Sequence, residues 1–468
     1  MSVSRLRPNC LNFYELLAQN VALISPTMTA ALIVPVMYSN TGDWSWLSYA
    51  LGTIMLLFVG YNLNQFARRS TTSGSMYAYT CRGLGLAAGG ISGWALIWAY
   101  LGISMAGVHG FSIFADTLLG MAGVHVPYIV LFAACVGIGW YCAWKNVTMS
   151  LILTLALEGI SMSFILLLCA IVLFHHQFAF DSTQFNVGTL PWSSIGLGVV
   201  VAIFSLVGFE SATAFGDEAK NPLKTIPRSV YWSLLISGLF FVVVTYVEVL
   251  GTHSYKDTLD KIDAPLNVLA TLSHVPLLQI PLSIGAMLSF FALCLSCINA
   301  GGRVIYAMGR HGLFHAATAG AHEKNETPHV AIGLMAALAF GIPTAMHLGG
   351  IAPLDGFNYV GTCAAFGFMV AYALITVAAP VYLKRIGELK TKDVVGCAAA
   401  LVLLAIPAVG SVYPIPDPPV KYFPYGFLVY LAIGITWIFY CYRRKPTAIE
   451  QVQADLERIH AHFEDAVA

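Results

Sequence analysis

Two glutamates lie within long apolar segments of this 468-residue chain, and they are the side chains best placed for chemistry. Glu158 lies eight residues into an apolar segment without lysine or arginine, and Glu210 lies two residues beyond Gly208 in another. A charged carboxylate is costly to bury in hydrocarbon, so such a group is protonated part of the time or has a partner. The two positions therefore predict reversible binding of a proton or another small cation.

Two apolar segments, the first in the chain and the one that begins at Ile195, are interrupted by polar or helix-breaking residues. Residues 204–212 interrupt an apolar run that begins at Ile195, and a charged, proline-bounded loop at 217–228 follows. The first apolar run is interrupted at Ser25 and Pro26, where proline removes a backbone donor and disfavours helical geometry at the preceding residue. Unwound backbone at membrane depth is tolerated where it lines a cavity, so paired interruptions indicate a secondary transporter with inverted repeats.

Composition places the interrupted segments in a polytopic α-helical membrane protein. The chain is 58% hydrophobic and only 10% charged, and apolar stretches of membrane-spanning length recur along it. Formal net charge is zero, which gives no electrostatic argument for nucleic acid as a partner. The twelve predicted spans are 13–38, 46–67, 91–118, 127–144, 150–174, 195–215, 230–251, 277–307, 329–348, 359–383, 394–412 and 423–442.

Lysines and arginines separate cleanly between the two ends of these spans. With twelve spans and a cytoplasmic N-terminus, 20 of the 23 basic residues fall on the cytoplasmic side. The three on the other side are Lys256, Lys261 and Lys421. We expect a multi-pass protein of the cell membrane (plasma or inner) with both termini cytoplasmic and residues 443–468 as a cytoplasmic tail. On the same side we expect Arg303 to pair with Glu218 or Asp217.

Several groups of residues together resemble the amino acid–polyamine–organocation superfamily of permeases. The matching positions are Phe204, Gly208, Phe209, Glu210 and Ser211 at the second break; Glu218 to Pro222 and Ile226 to Arg228 behind it; Ser73 to Tyr79 and Arg82 to Gly85 after span two; and Asn299, Arg303, Tyr306 to Met308, Arg310, Gly312, Leu313, Thr327 and Pro328 around spans eight and nine. The resemblance covers about residues 13 to 440.

This resemblance implies an all-α transporter with five-plus-five inverted repeats, broken helices one and six, and two peripheral helices. Residues 1–442 would be one transmembrane domain, with repeats at about 13–174 and 195–383 and peripheral helices at about 394–442. Substrate would lie between the broken helices. The family commonly has a glycine-rich break in helix one, whereas this chain has Ser25, Pro26 and Thr27.

The breaks also predict how a small substrate would bind. Unwinding leaves free amides at the start of one half-helix, which favour a carboxylate, and free carbonyls at the end of the other, which suit an ammonium group. The residues that would surround the substrate are Ser25, Pro26, Thr27, Met28, Phe204, Ser205, Gly208 and Phe209. Phe204 and Phe209 either close over the site as gates or pack against lipid and neighbouring helices.

Three residues are candidates for binding a coupling ion. Glu158 falls where some proton-coupled relatives carry a lysine, and we hypothesise that it binds the coupling proton; the alternative is a neutral acid bonded to a neighbouring helix. Glu210 either shares that role or satisfies amides freed by the break. Ser296 matches the region where sodium-coupled relatives place hydroxyls, although the adjacent Cys297 thiol does not suit a hard cation.

Histidines and cysteines point to packing rather than to a metal or cofactor. His109 is expected to be a satisfied interhelical histidine, and His311 and His315, despite metal-compatible spacing, to be loop or helix-end residues. Cys294 and Cys297 form a CxxC within a predicted span, where cysteine usually packs as a small hydrophobe. No cofactor or metal site is predicted.

The sequence therefore predicts a secondary active transporter for an amino acid or related amine, with proton symport as the leading mechanism. An exchanger, a sodium-coupled permease, a passive channel and a transporter-like sensor remain alternatives. Catalysis is not expected, because the spans contain no HExxH, serine–lysine pair or clustered histidines or aspartates.

Overall fold

A computed structural model describes residues 6–70, 73–186, 188, 194–253, 255–262, 264–413 and 418–444. This part of the chain is helical, apart from turns and one isolated bridge between extended residues. Its α-helices are α1 Phe13–Ile24, α2 Pro26–Met28, α3 Val34–Thr41, α4 Ser45–Ala67, α5 Ser75–Leu84, α6 Leu86–Met121, α7 Tyr128–Lys145, α8 Val147–His175, α9 Ile195–Leu206, α10 Pro222–Thr252, α11 Pro265–Leu272, α12 Gln279–Arg310, α13 His329–Leu348, α14 Pro353–Arg385, α15 Thr391–Gly410 and α16 Phe423–Arg444.

Eleven helical stretches of the described chain are long and apolar enough to cross a bilayer. The first, Phe13–Ala67, is 55 residues long and contains both the predicted spans 13–38 and 46–67. A 3₁₀ turn at Gly42–Trp44 separates α3 from α4 within it. The molecule is a multi-pass, all-helical membrane protein.

Most predicted spans coincide with helices. The observed helix extends beyond the predicted span where polar residues continue it. Helix α13 matches its predicted span to the residue, whereas α10 begins at Pro222, eight residues earlier than predicted. Proline suits the first position of a helix because the amide it lacks would have no helical partner. The short helices α5 and α11 were not predicted, since neither is long enough to span a membrane.

Two long central helices, α6 and α12, pack along each other and carry mostly buried residues. Glycines permit this close approach: a Cβ on Gly107 of α6 would lie 2.9 Å from the carbonyl oxygen of Phe290 in α12. Helix α14 packs on another face of α6, where Gly102 meets Ala364. Small residues at helix crossings are the usual means of close packing in membranes. Helices α1, α8 and α14 complete the core, while α16 lies at the periphery.

On one face of the molecule, here called the N-terminal face, residues 10 and 11 and α12 contact the segment that follows α9. Leu11 bridges to Ala219, and the amides of Cys10 and Leu11 both donate to the carbonyl of Glu218, at 2.9 and 3.0 Å. The guanidinium of Arg303 in α12 binds both carboxylate oxygens of Glu218, and both side chains are fully buried. The predicted pairing of Arg303 is thereby confirmed.

The opposite face is joined by a histidine that lies between two carboxylates. His253, at the end of α10, lies 3.6 Å from Asp43 and 3.7 Å from Asp181. Burial acts to raise the pKa of Asp181, but hydrogen bonds from Thr183 and Gln184 and the nearby His253 outweigh it and hold that pKa below its ordinary value. These contacts bring three loops together on this face.

Candidate functional site

The predicted interruption in the first span is confirmed. Helix α1 ends at Ile24, Ser25 adopts the left-handed conformation with φ of 51°, and Pro26 begins the next helical turn. A residue other than glycine in this conformation is uncommon. Beyond this turn, Thr29–Ile33 forms a wider π-helical turn, a feature that is often found at functional sites.

The interruption in the sixth span is also confirmed, but the residues beyond it differ from the prediction. Helix α9 ends at Leu206, and Ser211–Phe215 forms a 3₁₀ turn instead of continuing as an α-helix. Gly208 has φ of +96°, and a Cβ at this position would collide with the side chain of Leu23. The two breaks therefore touch, because Leu23 is two residues from Ser25.

Glu158 lies directly against the break in the first span. Its carboxylate accepts hydrogen bonds from the amide and the hydroxyl of Thr27, both at 3.2 Å, and from the Ser289 hydroxyl. The side chain is 1% exposed, and it forms no ion pair within the described residues. The Thr27 amide, predicted to be free for a substrate carboxylate, is occupied in this conformation by a carboxylate of the protein.

A shell of hydroxyl groups surrounds this carboxylate. Ser25 lies 2.9 Å from Ser289, and Thr27 lies 2.7 Å from Ser161. Hydroxyls donate or accept by rotation, so the shell satisfies Glu158 in its charged or its protonated form. Sequence reasoning missed Ser161 and Ser289; the three-residue spacing of Ser161 from Glu158, which places both on one helix face, was the available signal.

Glu210 is tied to the second break. Its carboxylate accepts from the hydroxyls of Tyr100 and Tyr372, at 2.9 and 2.7 Å, and from the amide of Gly208 at 3.2 Å. The predicted alternative, in which this acid satisfies an amide freed by the break, describes these contacts. Glu210 and Glu158 thus bind different breaks and share no hydrogen-bond partner.

Asn20 connects the two broken segments and was not identified from the sequence. Its side-chain oxygen accepts from the Ala212 amide at 2.7 Å and from the Ser211 hydroxyl at 3.1 Å, both just beyond the second break. Its amide group reaches Ser229 of α10 at 3.5 Å. An asparagine in an apolar helix is a weak signal alone, because many such residues bond only within their helix.

The other predicted substrate residues lie close to the breaks in different environments. Met28 and Phe209 are buried, and Phe209 packs against Tyr372 with ring centroids 5.4 Å apart. Phe204 is half-buried and lies over Gly361 of α14. The Ser205 hydroxyl donates within α9 and lies 3.4 Å from the Tyr49 hydroxyl.

Ser296 lies apart from the Glu158 shell. It is seven residues beyond Ser289 on α12, a separation of about 10 Å along the helix. Its carbonyl accepts from Gln19 at 2.9 Å, and its buried hydroxyl has no hydrogen-bond partner among the residues that the structure describes. Ser296 and Glu158 therefore do not form a single ion site in this conformation.

The histidines and cysteines occupy separate environments. Neither ring nitrogen of buried His109 has a hydrogen-bond partner in the described chain, which contradicts the expectation that it is satisfied. His311 lies 2.7 Å from the Tyr77 hydroxyl, and His315 accepts from the amide two residues ahead. Cys294 and Cys297 are free, buried thiols that pack in different apolar clusters.

Comparison with known proteins identifies the family. The model of the amino acid permease family matches residues 19–446, which include both breaks and both buried acids described above. The chain belongs to the amino acid permease family. This permease is therefore a transporter of the membrane.

Individual relatives are distant but extend over most of the permease. It is 26% identical to a branched-chain amino acid permease of Bacillus subtilis, over 86% of this chain and 87% of the relative. It is 24% identical to a low-affinity putrescine importer of Escherichia coli, over 69% and 73% of the two chains. The crystal structure of a manganese transporter mutant from Eremococcus coleocola shares the fold, with a TM-score of 0.58 at 12% identity and coverage of 96% and 94%.

Proposed function

We propose that this permease is a secondary active amino acid transporter that couples uptake to protons through Glu158. The observation that carries the proposal is the set of hydrogen bonds from the amide and hydroxyl of Thr27 to the Glu158 carboxylate. A protonated acid loses its charge and one acceptor site, so its hold on the Thr27 amide weakens. Protonation would thus release the half-helix that begins at Pro26 and favour alternating access.

The proposed architecture has twelve spans, obtained by dividing the 55-residue first stretch at Gly42–Trp44. Two inverted repeats at about 13–174 and 195–383 and peripheral helices at about 394–442 would form one domain. The placement of one break near the start of each proposed repeat supports this arrangement. The N-terminal face would be cytoplasmic, because most basic residues fall there, with both termini on that side of the cell membrane.

A neutral amino acid is the proposed substrate, and a branched-chain amino acid is the first one to test. No described lysine or arginine bonds to either break, so nothing there favours an acidic side chain. Met28 and Phe204 offer apolar contacts, and the named activity of the Bacillus subtilis relative is consistent with them. A cationic amino acid or polyamine is the second candidate, favoured by the carboxylates of Glu158 and Glu210 and by the putrescine importer relative.

Uptake by purified permease in liposomes tests the coupling. With an inward proton gradient we expect accumulation of leucine, and with Glu158→Gln we expect accumulation to fall by about tenfold or more, the effect of losing one charged hydrogen bond. Exchange of labelled for unlabelled leucine should survive, because it needs no net proton movement. Glu323→Gln, which alters an exposed acid, is the matched control.

The same assay separates the remaining mechanisms. Replacement of sodium by choline at fixed pH should leave uptake unchanged; a loss would indicate sodium coupling instead. Exchange without gradient-driven accumulation would indicate an exchanger. Equilibration without saturation would indicate a channel, and binding without movement a sensor. Proton-driven uptake that is unchanged in Glu158→Gln would refute the role assigned to Glu158.

A further inference from the structure

A third acid, Glu248, lies inside the membrane-spanning part of α10 and has no hydrogen-bond or ion-pair partner in the described part of the chain. Its side chain is fully buried, and neither carboxylate oxygen has a hydrogen-bond partner among the described residues. The neighbouring Thr252 hydroxyl bonds to the carbonyl oxygen of Glu248, not to its carboxylate. An unpaired charge in such a place is costly, so the group needs a bound cation or a proton.

The surroundings of Glu248 favour a proton over a metal ion. Among the described residues, the phenol of Tyr49 on α4 and the thiol of Cys169 on α8 lie within reach of the charge of Glu248. Hard cations take several oxygen ligands, and a thiol does not suit them. Lysine, arginine and histidine side chains on the described parts of the helices packed against α10 form no ion pair with this acid. A proton needs neither a cavity nor further ligands.

Glu248 is also connected to the second break. The Tyr49 ring packs on the ring of Phe241, which precedes Glu248 by seven residues in α10; the ring centroids are 5.2 Å apart. The Tyr49 hydroxyl lies 3.4 Å from that of Ser205, near the end of α9. A movement of α9 would therefore change the position of Tyr49 and with it the environment of the acid. Glu248 is four residues from the end of α10, about 6 Å along the axis, and so lies near the opposite face.

We propose that Glu248 is a second proton-binding site of the permease, which takes up and releases a proton in each transport cycle. The proposal rests on the proposed proton coupling. It assigns to Glu248 the proton that enters from the opposite face, which is external in the proposed orientation. Glu158 and Glu248 would then bind separate protons, Glu158 against the first break and Glu248 in α10 near the opposite face.

Two measurements test the proposal. Infrared spectroscopy of the reconstituted permease at neutral pH should show, within the carbonyl stretch of protonated, buried carboxylic acids, a band that is absent from Glu248→Gln. The ratio of protons to substrate, measured from the opposing gradients that stop net flux, should fall from about two to one in the same variant. Asp355→Asn, which alters an exposed acid near the start of α14, should change neither quantity.

The outcomes separate this proposal from the proposed function. If the infrared band is absent or unaffected by Glu248→Gln, Glu248 holds no proton and the inference fails. If the band disappears but the ratio stays at its wild-type value, the proton is structural and the transport role fails. If a proton gradient drives no uptake in the wild type, the proposed coupling fails, while the infrared result still decides protonation. Glu248→Asp keeps a titratable carboxylic acid at this position and should retain the band. This variant keeps the test decisive if Glu248→Gln does not fold.

Discussion

Gly208 shows how a single residue shapes the candidate site. Its backbone φ of +96° is one that residues with a side chain rarely adopt. Because glycine has no side chain, Leu23 can fill the space beside it. Glycine here therefore ends α9 and brings the two breaks into contact. The Glu210 carboxylate accepts from the freed amide of Gly208, so a side chain of the same segment satisfies this donor.

Substitution of Gly208 tests this arrangement. We expect Gly208→Ala to lower the melting temperature of the purified permease and abolish uptake, since it adds both backbone strain and a clash with Leu23. Strain of this kind costs on the order of 1–3 kcal/mol. The control is Gly137→Ala in α7, where a Cβ meets nothing within 4 Å and helix propensity favours alanine. Equal melting temperatures for both variants would contradict the assignment.

The two acids to which we assign protons, Glu158 and Glu248, differ in how clearly the sequence indicates their burial. Glu158 was recognised because it lies deep within an apolar span without a basic residue. Glu248 was missed because it lies near the end of its span, where an acid ordinarily reaches water. Its burial depends on α4 and α8, which are remote in sequence, so hydropathy along the chain does not report it.

At the scale of elements, the segment after α9 is fixed by a buried ion pair. Arg303 binds Glu218 through two nitrogens and stacks over the Phe215 ring at 4.1 Å. The 3₁₀ turn that contains Phe215 is thereby connected to α12. The sequence predicted the pairing from charge and position, but it did not predict that the turn replaces an α-helix, because that depends on contacts with Asn20 and Arg303.

Removal of one partner from this pair should be strongly destabilising. Glu218→Gln leaves a buried guanidinium without its counter-charge, at a cost of about 3–5 kcal/mol. The matched control is Glu388→Gln, which breaks a partly exposed pair with Arg69 and should cost less than about 1 kcal/mol. Thermal unfolding in one detergent compares the two. A smaller loss for Glu218→Gln than for Glu388→Gln would show that the buried pair contributes little.

The opposite face supplies a prediction that depends on pH. Because the folded state lowers the pKa of Asp181, its charge stabilises the fold above the unfolded pKa of about 3.9, and this contribution is lost as pH falls through the folded value. We expect Asp181→Asn to melt at a lower temperature than wild type at neutral pH, with the difference shrinking as the pH falls below the unfolded pKa of about 3.9. Asp260→Asn, an exposed acid on the same face, serves as the control. A difference that grows on acidification would reverse the assigned sign.

At the scale of the whole molecule, the sequence predicts the class of architecture well. Long apolar runs report membrane spans directly, since a bilayer requires about twenty apolar residues whatever the tertiary structure. The short helices α5 and α11 do not need an apolar run of that length, so hydropathy does not reveal them. It does not reveal the contact between Leu23 and Gly208 either. These features depend on packing between distant segments.

Orientation in the membrane is testable by labelling from one side. Lys256 and Lys324 are exposed and lie in loops that the proposed topology places outside and inside the cell. In intact cells, we expect a membrane-impermeant maleimide to label Lys256→Cys but to label Lys324→Cys only after permeabilisation. Wild-type protein gives the background from its own cysteines, most of which are buried. The reverse pattern would invert the proposed topology.

The bridge between Leu11 and Ala219 makes the N-terminal segment a mechanical extension of the second break. The segment is bonded through Glu218 and Lys220 to the residues that follow the 3₁₀ turn. Whatever is attached near Leu11 therefore acts on the same backbone that would rearrange in the proposed transport cycle. A fluorophore placed there would report movement of the break, and a bulky fusion partner there would hinder it.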